Sequence, residues 1–244
     1  MNIDVQGPRR MIQLLDAEGN IRFAISESVV TGWLVILAVL AVCLILTHNM
    51  QKVPAGKKQC AAEYIVNFCN KMVRSNMGED CMNYAPYIGA LFSYILLGTL
   101  ISMLGFRSIT ADISVTGTLA VVTFVLITYN KIHAHGIGAY LKTMINPLNI
   151  ISEVATPVAM ALRLFGNVAG GMIITVILYA ALGSASGALY NLIGIHAETY
   201  YFNIFQIGIP AVLSVYFDLF SGTIQSYVFI MLTMIYIQMG REYY

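Results

Sequence analysis

Five long apolar runs, separated by polar stretches, organise the chain; they cover roughly residues 29–47, 86–106, 113–129, 154–183 and 203–239. Each of the first three has about the 20 residues that cross a bilayer core as a helix. The last two are too long. At 1.5 Å per residue they reach about 45 and about 55 Å, against a core of about 30 Å. They must break, or lie about 50–60° from the membrane normal. Pro210, in the stretch GIPAV, marks a kink near the start of the last run. The pattern predicts an all-α integral membrane protein with five membrane-embedded helices, the last two forming a strongly tilted hairpin. Between the first two runs, KKQCAAEYIVNFCNKMVRSNMGED sets apolar residues at helical spacing with basic residues between them. Two readings fit it: an amphipathic helix lying on the membrane surface, or an ordinary packed loop helix.

Composition supports the membrane assignment. The chain has 244 residues, of which 58% are hydrophobic and only 10% charged, whereas a soluble domain carries about 25% charged residues. The mean hydropathy is +0.75. A net charge of +1, with no concentrated basic patch, argues against a nucleic-acid partner. Cys43, Cys60, Cys69 and Cys81 form no C-x-x-C pair and read as free structural thiols. Residues 1–28 are polar and mixed in charge, with no cleavable signal peptide evident. No internal repeat is found. The expected organisation is an outer-side N-terminal segment, 1–28, and a single membrane domain, 29–244.

Charge also sets direction. Five crossings place Lys52, Lys57, Lys58, Lys71, Arg74, Lys131, Lys142 and Arg241 on one side, and Arg9, Arg10, Arg22 and Arg107 on the other. The positive-inside rule then puts the N-terminus outside and the C-terminus in the cytoplasm.

Few charges remain within the runs: Arg163, Asp218 and, near the cytoplasmic end of the fourth run, Glu153. A charge at mid-bilayer costs about 2.5–3.5 kcal/mol on the insertion scale, so it faces a partner or water. A buried Arg163–Asp218 ion pair is the plain structural reading, but a buried pair is weak evidence of purpose. The neighbours point elsewhere. At about 100° per residue, Ser152, Thr156, Ala159, Gly166, Asn167 and Gly170 all lie within about 60° of Arg163. Small residues let another helix approach closely. In the last run Ser214, Asp218, Ser221, Gly222 and Gln225 share a face, so two polar stripes stand ready to line water or grip a partner. For Asn167 and Gln225, interhelical hydrogen bonding alone is the simpler alternative. His133 and His135 have metal-like spacing, but two ligands without a third do not make a site, and no metal or other cofactor is expected.

These stretches resemble a known family. PLNIISEVATPVAMALRLFGNVAGGMI is similar to the signature helix of subunit a, the stator channel subunit of rotary F-type ATP synthases. VPAGKKQCAAEYIVNF, SITADISVTGTLAVVTFVL and GTIQSYVFIMLTMIYI agree in the same order, so the resemblance covers residues 30 to 240. It implies that the tilted hairpin presses on a rotating ring of c subunits, each carrying an ion-binding carboxylate, with peripheral-stalk b subunits as further partners. Two aqueous half-channels end at that ring, and the arginine between them, here Arg163, favours the ionised carboxylate and prevents a short circuit. Asn167 and Gln225 match further motif positions, and Thr156, Ala159, Gly166 and Gly170 form the ring-contact face. Where many members carry an ionisable residue nine positions after the arginine, this chain has Met172; seven positions before the last-helix glutamine it has Asp218. The implied outer path therefore ends at Asp218, with Ser214 and Ser221 on its wall and His196 and Glu198 near its mouth; a plain polar loop is the alternative for those two. Glu153 is expected to line the inner path, a helix-start carboxylate being its alternative. No phosphate-binding glycine loop is present, so ATP chemistry would belong to other subunits. The carried ion is a proton or sodium, and the expected location is a bacterial plasma membrane, organellar inner membranes being the alternative. Rival readings are a stand-alone secondary transporter, which should show paired repeats with broken helices, and a purely structural anchor. The transporter should purify alone; subunit a should bring the ring and stalk.

Overall fold

A computed structural model describes residues 10–15, 21–48, 56–192, 208, 212–213 and 215–242. Two short antiparallel strands, β1 (Arg10–Leu15) and β2 (Ile21–Ser26), open the described chain and lead directly into α1 (Glu27–Thr47). The hairpin is an addition to the all-α expectation; the body behind it is helical throughout. α2 (Lys57–Met77), α3 (Ala85–Leu100), α4 (Ile113–His135), the short α5 (Ile137–Met144) and the 46-residue α6 (Pro147–Leu192) follow. A π-wound segment, Val215–Ser221, then runs into α7 (Gly222–Glu242). Among the described residues, five helical stretches are long and apolar enough to cross a membrane: 27–47, 79–104, 113–134, 147–188 and 215–241.

Helix ends differ from the sequence expectation in ways that have local causes. The fourth run begins at Pro147 rather than 154, because proline is well placed at a helix start, where its missing N–H has no partner to lose. At 46 residues α6 is about 69 Å long, more than twice the thickness of a bilayer core. The third run extends to His135 and stops at Gly136, whose φ of 82° belongs to the left-handed region that favours glycine. Pro210, the expected kink, lies outside the described residues, as do residues 203–207. Pro157 sits inside α6 instead and leaves the Glu153 carbonyl without its helical N–H partner.

The core lies where α2, α3, α4, α6 and α7 meet. Val73, Ile88, Ile95, Leu164, Phe229, Ile230, Met234 and Ile237 are almost wholly buried there. On α7 the buried positions Phe229, Ile230, Thr233, Met234 and Ile237 recur at helical spacing, forming one continuous packing face. α1 is peripheral: Ser28, Thr31, Gly32 and Val35 are buried, and the rest of the helix presents Leu, Val and Ile outward, as a lipid-facing helix must. α2 combines both readings of its amphipathic stretch. Ala62, Met72, Val73 and Met77 pack inward, whereas Tyr64, Ile65 and Phe68 on another face are exposed. A Cβ on Gly89 would stand 3.3 Å from Cys69 Sγ, so this glycine lets α2 approach α3. All four cysteines are free thiols.

Candidate functional site

α6 carries two faces of opposite character. Met160, Ala161, Leu164 and Val168 are buried against the bundle. Turned away from them, Ser152, Ala159, Arg163 and Gly166 are exposed, with Thr156, Asn167 and Gly170 partly covered. Arg163 is therefore not buried within this chain; the side chain of Asp218, its partner in the plain structural reading, lies outside the description. The glycines sharpen the contrast. A Cβ built on Gly166 or Gly170 meets nothing within 4 Å, whereas one on Gly171 would stand 3.0 Å from Phe217 and one on Gly222 only 2.5 Å from Thr99 Cγ2. Gly171 and Gly222 are needed by this chain's own packing. Gly166 and Gly170 meet no such neighbour among the described residues.

Those two required glycines also hold the π segment. Phe217 seats in the notch at Gly171 on α6, and Thr99 of α3 seats on Gly222 at the segment's other end. The backbone over Val215–Ser221 is wound wider than the straight α-helix that the sequence predicts there. The backbone of Asp218 lies in this segment; its side chain lies outside the description, as do Ser214, His196 and Glu198 entirely.

Asn167 and Ser221 do come together. Ser221 Oγ donates to Asn167 Oδ1 at 2.6 Å, joining α6 to the start of α7. The Asn167 Nδ2 and Gln225 Nε2 groups are buried without a protein partner among the described residues. An unsatisfied buried amide costs about 1–3 kcal/mol, so each of the two calls for an explanation.

A line of hydroxyls approaches the same place from the hairpin end of the bundle. Ser108 Oγ donates to the Gly98 carbonyl at 3.2 Å and lies 2.9 Å from Thr110 Oγ1, which is 3.4 Å from Thr99 Oγ1. All three residues are buried, and Thr99 touches the position of Gly222, next to Ser221. Nearby Asp112, 8% exposed, caps α4 by accepting the Ser114 N–H at 3.0 Å and takes a bond from Ser26 Oγ at 3.5 Å. Sequence reading missed these residues. The only signal was Asp-x-Ser before an apolar run, a capping pattern that says nothing about burial.

Glu153 stands at the other end of the bundle, nearly two turns into α6 rather than at its start. It is ion-paired with Lys131 of α4, and its Oε2 accepts from Tyr140 Oη of α5 at 3.0 Å. Lys131, Glu153, Ser152, Thr156 and Tyr236 line a cavity of about 260 Å³. Lys131 was read as a loop charge; its pairing joins residues 22 apart in the chain, beyond the reach of helical periodicity. His133 stacks near Tyr129, with ring centroids 6.0 Å apart.

Known proteins place the chain. The family described as ATP synthase A chain matches residues 29–238. The chain is 31% identical to "ATP synthase subunit a, sodium ion specific" of Propionigenium modestum, over 91% of this chain and 76% of that protein. It is 29% identical to ATP synthase subunit a 1 of Crocosphaera subtropica, over 89% of this chain and 88% of that protein. With subunit a of Gluconobacter oxydans the identity is 30%, over 84% of each chain. Five apolar helices, a 46-residue α6 carrying Arg163 and a match across most of the length agree: the chain belongs to the ATP synthase A chain family, the multi-pass subunit of the synthase membrane sector.

Proposed function

We propose that this chain is the ion-translocating stator of the membrane sector, with Arg163 as the charge that separates two half-channels at a ring of c subunits. One observation carries the reading: Arg163 sits on an exposed stripe of small residues whose glycines, Gly166 and Gly170, serve no contact among the described residues of the chain. Such a stripe lets a foreign helix pass close to the guanidinium, with Thr156 and Ala159 extending the contact. A permanent positive charge there favours the ionised form of each ring carboxylate as it arrives, releasing its ion and blocking direct leakage.

The outer path runs past Ser108, Thr110 and Thr99 to Ser221, Asn167 and Gln225, with Asp218 as its titrating group; Ser214, His196 and Glu198 belong to its approach. The inner path is the cavity beside Glu153. The unsatisfied amides of Asn167 and Gln225 support a polar route at the outer end. Each ion crossing supplies about 2.3 kcal/mol per 100 mV, available as torque on the ring. Peripheral-stalk b subunits hold this chain against that torque, and ATP chemistry stays on other subunits. The charge asymmetry of the loops supports a bacterial plasma membrane with the N-terminus outside.

Arg163→Ala in the assembled complex tests the central claim. ATP-driven ion uptake by inverted vesicles should fall by at least about a hundredfold, on the scale of removing a preorganised charge-stabilising group. The complex should still carry ring and stalk. Proton and sodium uptake are followed separately, since the Propionigenium modestum relative is described as sodium ion specific. Normal coupled uptake in Arg163→Ala would overturn the assignment.

A further inference from the structure

The strongest unassigned feature is the polar junction at the C-terminal end of the bundle, where α4, α5, α6 and α7 converge. Each carboxylate oxygen of Glu153 has its own donor from a different helix: Lys131 Nζ on Oε1 and Tyr140 Oη on Oε2. The side chains of Lys131 and Glu153 are only 22% and 15% exposed. A Cβ on Gly240 of α7 would stand 3.0 Å from Lys131 Cγ, so the lysine stem passes through a notch kept open by a glycine. Pro157 removes the helical N–H from the Glu153 carbonyl and leaves a backbone acceptor beside the carboxylate. The cavity at this junction holds several waters by volume and continues along Ser152 and Thr156, which lie on the stripe leading to Arg163.

We propose that Lys131 and Tyr140 are positioning residues that fix the Glu153 carboxylate on the cavity wall, where it is the station at which ions pause on the inner path. This rests on the half-channel reading above. A clamp for stability would not need these groups, since a buried ion pair is commonly replaced by apolar residues of similar volume without loss. What an apolar pair cannot supply is an oriented anion facing water. Lys131 balances the carboxylate when no ion is present, and its flexible stem lets the ammonium yield as a cation arrives. For a proton the step balances simply: a hydronium ion in the cavity gives H⁺ to a Glu153 oxygen and is left as water, and the same O–H then passes the proton to a water at the cytoplasmic mouth, which leaves as hydronium. Among the described residues, the charged and titratable groups at the junction are Lys131 of α4 and Tyr140 of α5, which touch Glu153, and Tyr236 of α7, which lines the same cavity.

The test uses the whole complex in proteoliposomes and separates conduction from assembly. Lys131→Met, Tyr140→Phe and Glu153→Gln are compared with the apolar double variant Lys131→Met/Glu153→Leu and with Lys131→Arg. The double variant should assemble and unfold at the native temperature yet conduct ions about tenfold more slowly, the usual cost of losing a partner that orients a functional group. Lys131→Arg should retain conduction. Native conduction by the double variant would reduce the junction to a clamp and overturn the proposal. Labelling of a Thr156→Cys variant by a water-soluble maleimide from the cytoplasmic side reads the cavity independently. Failure of the introduced thiol to react overturns the inner path itself. A reactive thiol, together with native conduction in the double variant, overturns only the role of the junction.

Discussion

At the residue scale, glycines separate what the chain needs for itself from what it offers to a partner. Among the described residues, nothing stands where a side chain on Gly166 or Gly170 would go. Leucine favours helix over glycine by roughly 0.5–1 kcal/mol, so Gly166→Leu and Gly170→Leu should leave the subunit folded and inserted. On a face that a second helix must approach, the same bulk is prohibitive. Each variant should therefore lose co-purification of the c-ring while keeping this subunit in the membrane; a native yield of ring with Gly166→Leu would mean that the stripe faces lipid. Asp218, the one carboxylate in the chain between Glu198 and Glu242, is the titrating group proposed for the outer path. Asp218→Asn keeps the shape and removes the charge. ATP-driven uptake should slow at least about tenfold, the low end of the contribution of a positioned acid–base group, and Asp218→Glu should recover part of it. Full uptake in Asp218→Asn would show that the outer path is merely wet.

At the element scale, the features legible in the sequence are those with a local period. The apolar runs fixed the number and order of membrane helices, and the 3.6-residue period put Arg163, Ser152, Ala159 and Gly166 on one exposed face of α6. What escaped is non-local. The π winding of Val215–Ser221 is held by Phe217 against Gly171 and by Thr99 against Gly222, contacts between three helices that no window of sequence contains. The Lys131–Glu153–Tyr140 junction and the Ser108–Thr110–Thr99 line escaped for the same reason, since isolated hydroxyls and loop charges carry no periodic signal. The β1–β2 hairpin opens in a polar stretch without strict alternation. The π segment offers a stability test. Gly222→Ala places a methyl 2.5 Å from Thr99 Cγ2, an overpacking that costs about 1–3 kcal/mol. Thr99→Ser removes that methyl and keeps the hydroxyl, which bonds the Ile95 carbonyl at 2.8 Å. Gly222→Ala should lower the unfolding temperature of the detergent-solubilised complex, and Gly222→Ala/Thr99→Ser should restore most of it. No restoration by the double variant would place the cause outside this contact.

At the scale of the whole molecule, the four native cysteines read out how the chain sits in the membrane. Cys43 is exposed on α1, but that helix is an apolar span and its surroundings are lipid. Cys81 is buried and accepts a bond from the Arg241 guanidinium at 2.8 Å. Cys69 is half-buried against Gly89, and desolvation pushes its thiol above the ordinary range. Cys60 alone is both exposed and outside the apolar spans, on the polar side of α2 near Glu63 and Asn67. Thiolate is the reactive form, so at neutral pH a charged, membrane-impermeant maleimide should label Cys60 and spare the others. The proposed orientation puts α2 on the cytoplasmic side. Label should therefore enter in inverted vesicles, stay out in right-side-out ones, and vanish with Cys60→Ser. Raising the pH through and beyond the ordinary thiol range of about 8.5 should bring in Cys69 as a second, later site, because its thiolate forms only at higher pH. Labelling of Cys60 from the outside would reverse the orientation and exchange the inner and outer paths.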